Sequence, residues 1–301
     1  MNFPYASPLG FSSPPNRPRK ALDTSPDTEL DFTIVTPSFN YGHFIGECLQ
    51  SVAAQEGVSL EHLVIDGGSK DTTADVVARY PHADFRQEPD EGMSDAINKG
   101  FDRARGDWVI WLNADDRLKP GALAAAKRFA EQNPSNDVIY GAWDFIDMEG
   151  KHIRTMSLFP FRHRMLVHLG CYIGSTSTFL RRTTVVDAGF RLNKKFRYVM
   201  DGEFYARLAA EGMRFGYIPH VLADFRIHGN NLSFRNHASK SVDDLLVLQY
   251  QYSEARAIRR AYGTTLFRDE NWNSVLDTLL QTFHRGQKAL LKRIHRRGLQ
   301  R

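Results

Sequence analysis

The chain has 301 residues, a formal net charge of +4, 42% hydrophobic residues and two cysteines, Cys48 and Cys171. That length holds one large domain or two small ones, and the apolar content supports a buried core, which excludes global disorder. The cysteines have no CxxC spacing, which excludes a disulfide framework or zinc knuckle and fits a reducing compartment, and no run of about 18 apolar residues is present to cross a membrane.

Residues 1–30 are rich in Pro, Ser and Asn, lack periodicity and have no apolar h-region. They read as a disordered leader and not as a signal peptide. Phe32–Pro37 (FTIVTP) has the unbroken apolar character of a buried strand, and Ile45, Leu49, Val52 and Ala53 share one face of a helix over Phe44–Gln55. Leu60–Asp66 (LEHLVID) predicts a second strand, and Asp71 is placed to cap a helix over Thr72–Tyr80. A short strand at Asp84–Glu88, a helix at Ser94–Ala104, a strand at Trp108–Asn113 (WVIWLN), a helix at Gly121–Gln132 and a strand at Val138–Tyr140 follow. Beyond Asp144 the pattern loosens, with strands expected at Thr178–Arg181, Phe215–Ile218 and Ala223–Arg226, and helices at Asp201–Glu211, Val242–Tyr262 and Asn273–Arg296. This alternation predicts an α/β fold: a mostly parallel sheet flanked by helices, with a helical C-terminal extension. Right-handed crossovers bring the C-terminal strand ends to one rim, where open α/β sheets bind ligands. Ser38 and Asn40, Asp66, and Asn113 through Asp116 end three of these strands.

Two adjacent carboxylates, Asp115 and Asp116, repel one another at a strand end. A divalent cation relieves that repulsion, and Mg²⁺ or Mn²⁺ is commonly shared between one or two carboxylates and substrate phosphates. A polar turn ahead of Pro120 is the plainer alternative. Asp66 is placed to accept hydrogen bonds from a base or ribose, with Gly67 and Gly68 allowing close backbone approach; a strand-to-helix turn accounts for the same residues. Asp201 opens a helix, where negative charge is favoured, and a capping role competes with a chemical one. Arg226 suits a phosphate or pairing with Asp224 or Asp201, and the small polar residues of Ser175–Arg182 suit an acceptor groove. Trp143, Phe145 and Tyr172 suit stacking on a sugar ring or, more simply, a core.

Taken together, TPSFN (36–40), VIDGGSKDTT (64–73), EPDEGMSDAINKG (88–100), WLNADD (111–116), MDGEFYARLA (200–209) and RIHGNNLS (226–233) resemble, in order and spacing, the family-2 glycosyltransferases of GT-A fold. The resemblance covers Phe32 to Ser233 and implies an inverting, metal-dependent transfer of a sugar from a nucleotide-diphosphate donor to an acceptor hydroxyl. It implies that Asp66 bonds the base with Pro37, Phe39 and Asn40 around it, that Asp95 and Asn98 lie near base and ribose, and that Asn113, Ala114 and Asp115 belong to the donor site. It further implies that Asp115, with Asp116 and His228, holds Mn²⁺ or Mg²⁺, and that Asp201 is the catalytic base, with Glu203 a second candidate. The chain departs from the pattern in two places: Asn113 stands where many members have an acid, and Met200 replaces the first acid of the pair ending in Asp201.

The implied organisation is a leader (1–30), a GT-A glycosyltransferase domain (31–235) and a helical extension with a basic tail (236–301). The implied partners are a UDP-sugar by preference and a glycan or lipid-linked acceptor, in bacterial polysaccharide or glycolipid synthesis, with no nucleic acid. After Asp277 no acid follows, whereas Arg285, Lys288, Lys292, Arg293, Arg296, Arg297 and Arg301 do. This tail suits peripheral contact with an anionic membrane face from the cytoplasm, or is simply a solvated helix end. Two other functions compete: a nucleotidyltransferase, disfavoured because TPSFNYGH after the first strand carries no Lys or Arg to grip a triphosphate, and a catalytically inactive sugar-nucleotide-binding scaffold. A dinucleotide oxidoreductase lacks its GxGxxG.

Overall fold

Strand β1 (Phe32–Ser38) is buried along its whole length because helices cover both faces of the sheet that it centres. The computed structural model describes residues 30–229, 231 and 242–263, with only the helix backbone over 242–249. The expected leader up to residue 29, most of the 228–235 loop, the helix expected over 273–296 and the basic tail lie outside the described residues.

The first half of the sheet alternates strands and helices. β1 is followed by α1 (Ile45–Ala53), β2 (Leu60–Asp66), α2 (Thr73–Val77), β3 (Ala83–Gln87), α3 (Met93–Arg103) and β4 (Trp108–Trp111). These four strands are parallel, in the order β3-β2-β1-β4. Successive β1 side chains enter opposite layers, as the two-residue period of a strand requires. Phe32 and Ile34 join the cluster with Cys48 and Val52 of α1, and Val35 joins the one with Ile97 and Phe101 of α3.

The second half is mixed. It contains β5 (Arg117–Leu118), α4 (Ala122–Gln132), β6 (Val138–Ile146), β7 (His152–Met156), α5 (His163–Leu169), β8 (Thr178–Arg181), α6 (Met200–Ala210), β9 (Phe215–Arg226) and α7 (Val242–Tyr262). β8 runs antiparallel between β4 and β6, β6 and β9 are parallel, and β5 is antiparallel to β9. The two strands expected at Phe215–Ile218 and Ala223–Arg226 are one continuous β9. Pro219 divides the sequence pattern because it lacks an N–H, and the ladder accommodates it by a register shift: Gly141 pairs Ile218 but Ala142 pairs Val221. β7 and α5 were not anticipated. β7 is short and largely exposed, so it carries no apolar signature.

α3 lies against β1 at a distance only glycine permits. A Cβ on Gly100 would come within 2.2 Å of Val35 Cγ1. We therefore expect Gly100→Ala to destabilise the protein by about 1–3 kcal/mol in urea unfolding, the typical cost of overpacking. Because the clash is with one side chain, Val35→Ala combined with Gly100→Ala should cost less than the sum of the two single changes.

Candidate functional site

The rim at the C-terminal ends of β1, β2 and β4 is built from two stitched loops and a buried charge cluster. Ser38 O accepts from Gly67 N (2.9 Å), Asn40 N donates to Ser69 Oγ (2.7 Å), Lys70 N donates to Asn40 Oδ1 (2.9 Å) and Gly42 N donates to Asp71 Oδ2 (2.9 Å). Asn40 holds a left-handed backbone, φ 59°, to make this turn. Gly42 has no room for a side chain, since a Cβ there would approach Thr73 N to 2.8 Å. Asp71 also receives Thr73 N–H at 3.0 Å, although the N-cap position of α2 is Thr72 rather than Asp71, which stands one residue before it. The TPSFN and DGGSKDTT motifs thus interlock as one platform, from which Phe39 projects 58% exposed.

Asp66 is fully buried, and the platform occupies its carboxylate. Oδ1 accepts from Gly68 N (3.0 Å), Ser69 N (2.7 Å) and Gln87 Nε2 (3.1 Å), and Oδ2 from Ser69 Oγ (2.5 Å). Burial by itself raises the Asp66 pKa, but these donors prevail and hold it below the usual carboxylate value. Asp95 accepts from Glu91 N (3.1 Å) at the start of α3 and pairs with Lys99 and Lys194. Asn98 clamps the backbone of Leu192 in both directions, with Nδ2 to O at 2.9 Å and Leu192 N to Oδ1 at 2.8 Å. Both α3 residues therefore tie the helix to the segment that leads into α6.

The second centre is the pair Asp115 and Asp116, 6% and 1% exposed. Asp116 has its oxygens filled: Thr176 Oγ1 (2.5 Å) and Asn113 Nδ2 (3.1 Å) donate to Oδ2, and Arg226 N (2.9 Å) to Oδ1. Burial and the neighbouring Asp115 charge nevertheless push its pKa well above the ordinary carboxylate range. Asp115 faces a different set: His228 Nε2 lies 2.8 Å and Asn231 Nδ2 3.3 Å from its Oδ2. The His228 ring stacks on Phe44 at 4.8 Å and stands edge-on to Tyr41 at 6.2 Å. Burial, with the Asp115 and Asp116 charges, raises the Tyr41 hydroxyl pKa. Phe39, Asn40, Tyr41, Phe44, Met148 and His228 line a pocket of about 480 Å³ beside this pair.

Among the described residues no cluster of three His, Cys, Asp or Glu side chains surrounds a metal position. Asp115 and His228 fit a divalent cation whose remaining ligands come from elsewhere: they are an oxygen and a nitrogen donor already in contact, and Asn113 Oδ1, two residues before Asp115, is buried with no hydrogen-bond partner among the described residues. Asp116 fits less well, because its donors would have to be displaced. Ala114 packs in the apolar layer with Ile45, Leu49, Val64 and Val77, and Pro37 is buried in β1, so both shape the rim through the backbone.

Arg226 departs from the sequence expectation. It binds neither Asp224 nor Asp201 and has no face open to a phosphate. Fully buried, it donates to Asp115 O (2.9 Å), Met148 O (2.7 Å) and Glu47 Oε2 (2.6 Å), with its guanidinium 5.2 Å from the Phe44 ring centroid. Asp224 pairs instead with Arg117 and Lys119. Trp143 and Phe145 pack in a core cluster with Ala223, and Tyr172 stacks on Phe159 at 4.6 Å. Ser177 and Thr178 donate to backbone carbonyls and Thr176 to Asp116, so these three hydroxyls are engaged within the protein.

Asp201 opens α6 and is partly buried, and its carboxylate accepts from Gly202 N at 2.7 Å on Oδ1. Burial, then the Glu254 charge, raises its pKa from 3.8 to about 6, against the opposing backbone donors. Ser94 Oγ touches Met200 Sδ, which brings the start of α3 beside the start of α6. Glu203 is spoken for: Arg207 binds it bidentately at 2.8 and 3.1 Å, and Tyr262 OH donates to it at 3.0 Å. Glu254 and Tyr262, both on α7, are functional neighbours the sequence did not reveal; only their spacing on a helix was visible.

Comparison with known proteins places this geometry. The family model described as Glycosyl transferase family 2 matches residues 33–190, just over half of the chain. A PGL/p-HBAD biosynthesis glycosyltransferase of Mycobacterium bovis (strain BCG / Pasteur 1173P2) is 30% identical over 182 residues, covering 58% of this chain and 68% of the relative. A chondroitin synthase of Escherichia coli is 24% identical over 253 residues, covering 79% of this chain and 36% of that synthase. Two solved structures share the fold. S. aureus TarS 1-349 in complex with UDP-GlcNAc has a TM-score of 0.59 at 18% identity, covering 77% of this chain and 67% of that one. Mannosyltransferase PcManGT from Pyrobaculum calidifontis, in complex with GDP-Man and Mn²⁺, has a TM-score of 0.51 at 18% identity, covering 89% and 83%.

The buried guanidinium generates a stability prediction. Arg226→Ala leaves the Asp115 and Met148 carbonyls without their donor and should cost about 2–6 kcal/mol in chemical unfolding, at about 1–3 kcal/mol for each buried acceptor left unpaired. Arg226→Lys should recover little, since an ammonium cannot reach carbonyl and carboxylate partners on several sides at once.

Proposed function

This chain belongs to glycosyl transferase family 2, and from that premise we propose that it transfers a sugar from a nucleotide-diphosphate donor to an acceptor hydroxyl with inversion. The observation that carries the mechanism is Asp201: a carboxylate in the first turn of α6, its pKa raised to about 6, whose hydrogen bonds among the described residues come from backbone donors alone. A carboxylate of that basicity is suited to take a proton near neutral pH.

The acceptor oxygen attacks the anomeric carbon as Asp201 removes the hydroxyl proton. The new C–O bond forms while the anomeric carbon's bond to the diphosphate oxygen breaks, and the electron pair leaves with the nucleoside diphosphate. The donor diphosphate is oriented at Asp115 and His228, and the nucleoside lies along the platform of Pro37, Phe39 and Asn40 with Asp66 beneath it, Asp95 and Asn98 at its edge, and Asn113 and Ala114 on its other side. Asp115 and His228, with Asp116 adjacent, would hold Mn²⁺ or Mg²⁺, which would neutralise the charge that develops on the leaving diphosphate. UDP is the favoured nucleotide, supported by the neighbour crystallised with UDP-GlcNAc, with GDP the alternative supported by the neighbour bearing GDP-Man. A growing polysaccharide or lipid-linked glycan is the proposed acceptor class, supported by relatives named for PGL/p-HBAD biosynthesis and as chondroitin synthase. The catalytic domain is assigned to 31–235, with the extension from 236. No described helix is long and apolar enough to cross a membrane; the enzyme is proposed to work in the cytoplasm, reaching the membrane face through its basic tail.

Thermal unfolding against UDP, GDP and other nucleoside diphosphates, with and without Mn²⁺, tests the donor site. A ligand at 100 times its Kd stabilises by about 2.7 kcal/mol. One nucleotide should raise the Tm in a Mn²⁺-dependent way, and Asp115→Ala should abolish the rise. Absence of any shift at millimolar nucleotide overturns the donor-site reading and favours an inactive scaffold.

Asp201→Asn tests the base through two readouts of opposite sign. Transfer should fall by about 10²–10⁴-fold. Stability should rise at pH 7, because a carboxyl whose folded pKa of about 6 exceeds its unfolded value of 3.8 penalises folding once ionised. That gain, at most about 3 kcal/mol, should shrink as pH falls from 6 and vanish below about 4. Retained transfer would remove Asp201 from the base role.

A further inference from the structure

Helix α6 has no side-chain cap of its own; its N-cap position is Val199, which has no polar atom to offer. The cap comes from α7. The Glu254 carboxylate accepts three consecutive backbone N–H groups: Arg197 N at 2.9 Å and Tyr198 N at 2.9 Å, then Val199 N at 3.0 Å. These peptides lead directly into Asp201. Two further contacts repeat along α7 at four-residue intervals, so one stripe of the helix faces α6. Ile258 is 6% exposed, and its Cδ1 lies 3.8 Å from where a Cβ of Gly202 would be. Tyr262 OH donates to Glu203 at 3.0 Å. Val199, Gly202 and Glu203 flank Asp201, and each is held by α7.

We infer that Glu254 is a positioning residue for Asp201: from α7 it fixes the turn that presents the proposed base. The inference rests on the reading of Asp201 as the base. Among the described residues, the other ionisable groups that sense the Asp201 charge are the Cys171 thiol, on the loop ahead of β8, and the Tyr205 hydroxyl of α6. Both stay neutral near pH 7, burial and the Asp201 charge raising their pKa values further. Glu254 is therefore the anionic neighbour, and it acts in two ways: as a hydrogen-bond acceptor for the backbone and as a negative charge that disfavours ionisation of Asp201. The family match ends at residue 190, so this contribution comes from a part of the chain beyond the matched segment.

The test compares Glu254→Ala, Glu254→Gln and Glu254→Asp in the full chain, with UDP-GlcNAc or GDP-mannose as donor, whichever nucleotide stabilises the protein, and release of nucleoside diphosphate measured from pH 4.5 to 9. Glu254→Ala should lower kcat by about 10- to 100-fold, the scale of a misplaced catalytic group, with the donor KM unchanged. Glu254→Gln keeps an acceptor oxygen but no charge; it should retain more activity and move the acidic limb of the kcat profile to lower pH. Glu254→Asp should restore that limb towards its wild-type position. Carboxyl ¹³C NMR titration of Asp201, assigned by its loss in Asp201→Asn, reads the same shift without turnover, and Glu254→Gln serves if Glu254→Ala does not fold. Unchanged kcat, pH profile and Asp201 titration in the Glu254 variants, with Asp201→Asn inactive, overturns the positioning role. Wild-type kcat in Asp201→Asn instead overturns the base assignment, so the two failures are distinguishable.

Discussion

Everything at the rim answers to one electrostatic problem, the burial of Asp115 and Asp116 side by side. A carboxylate taken out of water requires donors or a countercharge. The fold divides the pair rather than treating its members alike. Asp116 is given neutral donors from Thr176, Asn113 and the Arg226 backbone, and becomes part of the scaffold. Asp115 is given an imidazole and remains the member able to engage a ligand. Arg226 makes the division possible, because its side chain ties β9 to the carbonyls around Asp115 and Met148 while its own N–H serves Asp116.

The parallel half of the sheet was legible because its strands are buried on both faces and read as unbroken apolar runs, β1 and β4 most clearly. The polar strand ends followed from the same reasoning. Less legible were elements whose stability is borrowed. β7 is paired to β6 but exposed, and α5 is short enough that three turns of periodicity never accumulate. Pro219 made one strand look like two because the two-residue bulge that absorbs it exists only in the pairing with β6.

The site was legible in location more than in division of labour. Asp66, Asn98 and Asp115 carry equally polar side chains at equally suggestive positions. In the structure Asp66 is saturated by its own loop, Asn98 clamps a backbone from another element, and Asp115 meets a histidine. Those differences depend on partners as distant in sequence as residues 192 and 228, which spacing within a motif does not encode. Arg226 illustrates the limit: an arginine beside two aspartates suggested an ion pair or a phosphate, but its charge partner is Glu47, on α1.

The three-point attachment of α7 to α6 has a consequence for the order in which the protein matures. Glu254, Ile258 and Tyr262 leave the ribosome after every described strand of the sheet, and Ile258 belongs to the core cluster that holds α6, so until α7 arrives that cluster is incomplete, α6 lacks its cap and Glu203 lacks its hydroxyl donor. The start of α6 that carries Asp201 is thus the part of the site that receives its holding contacts from the most C-terminal described element.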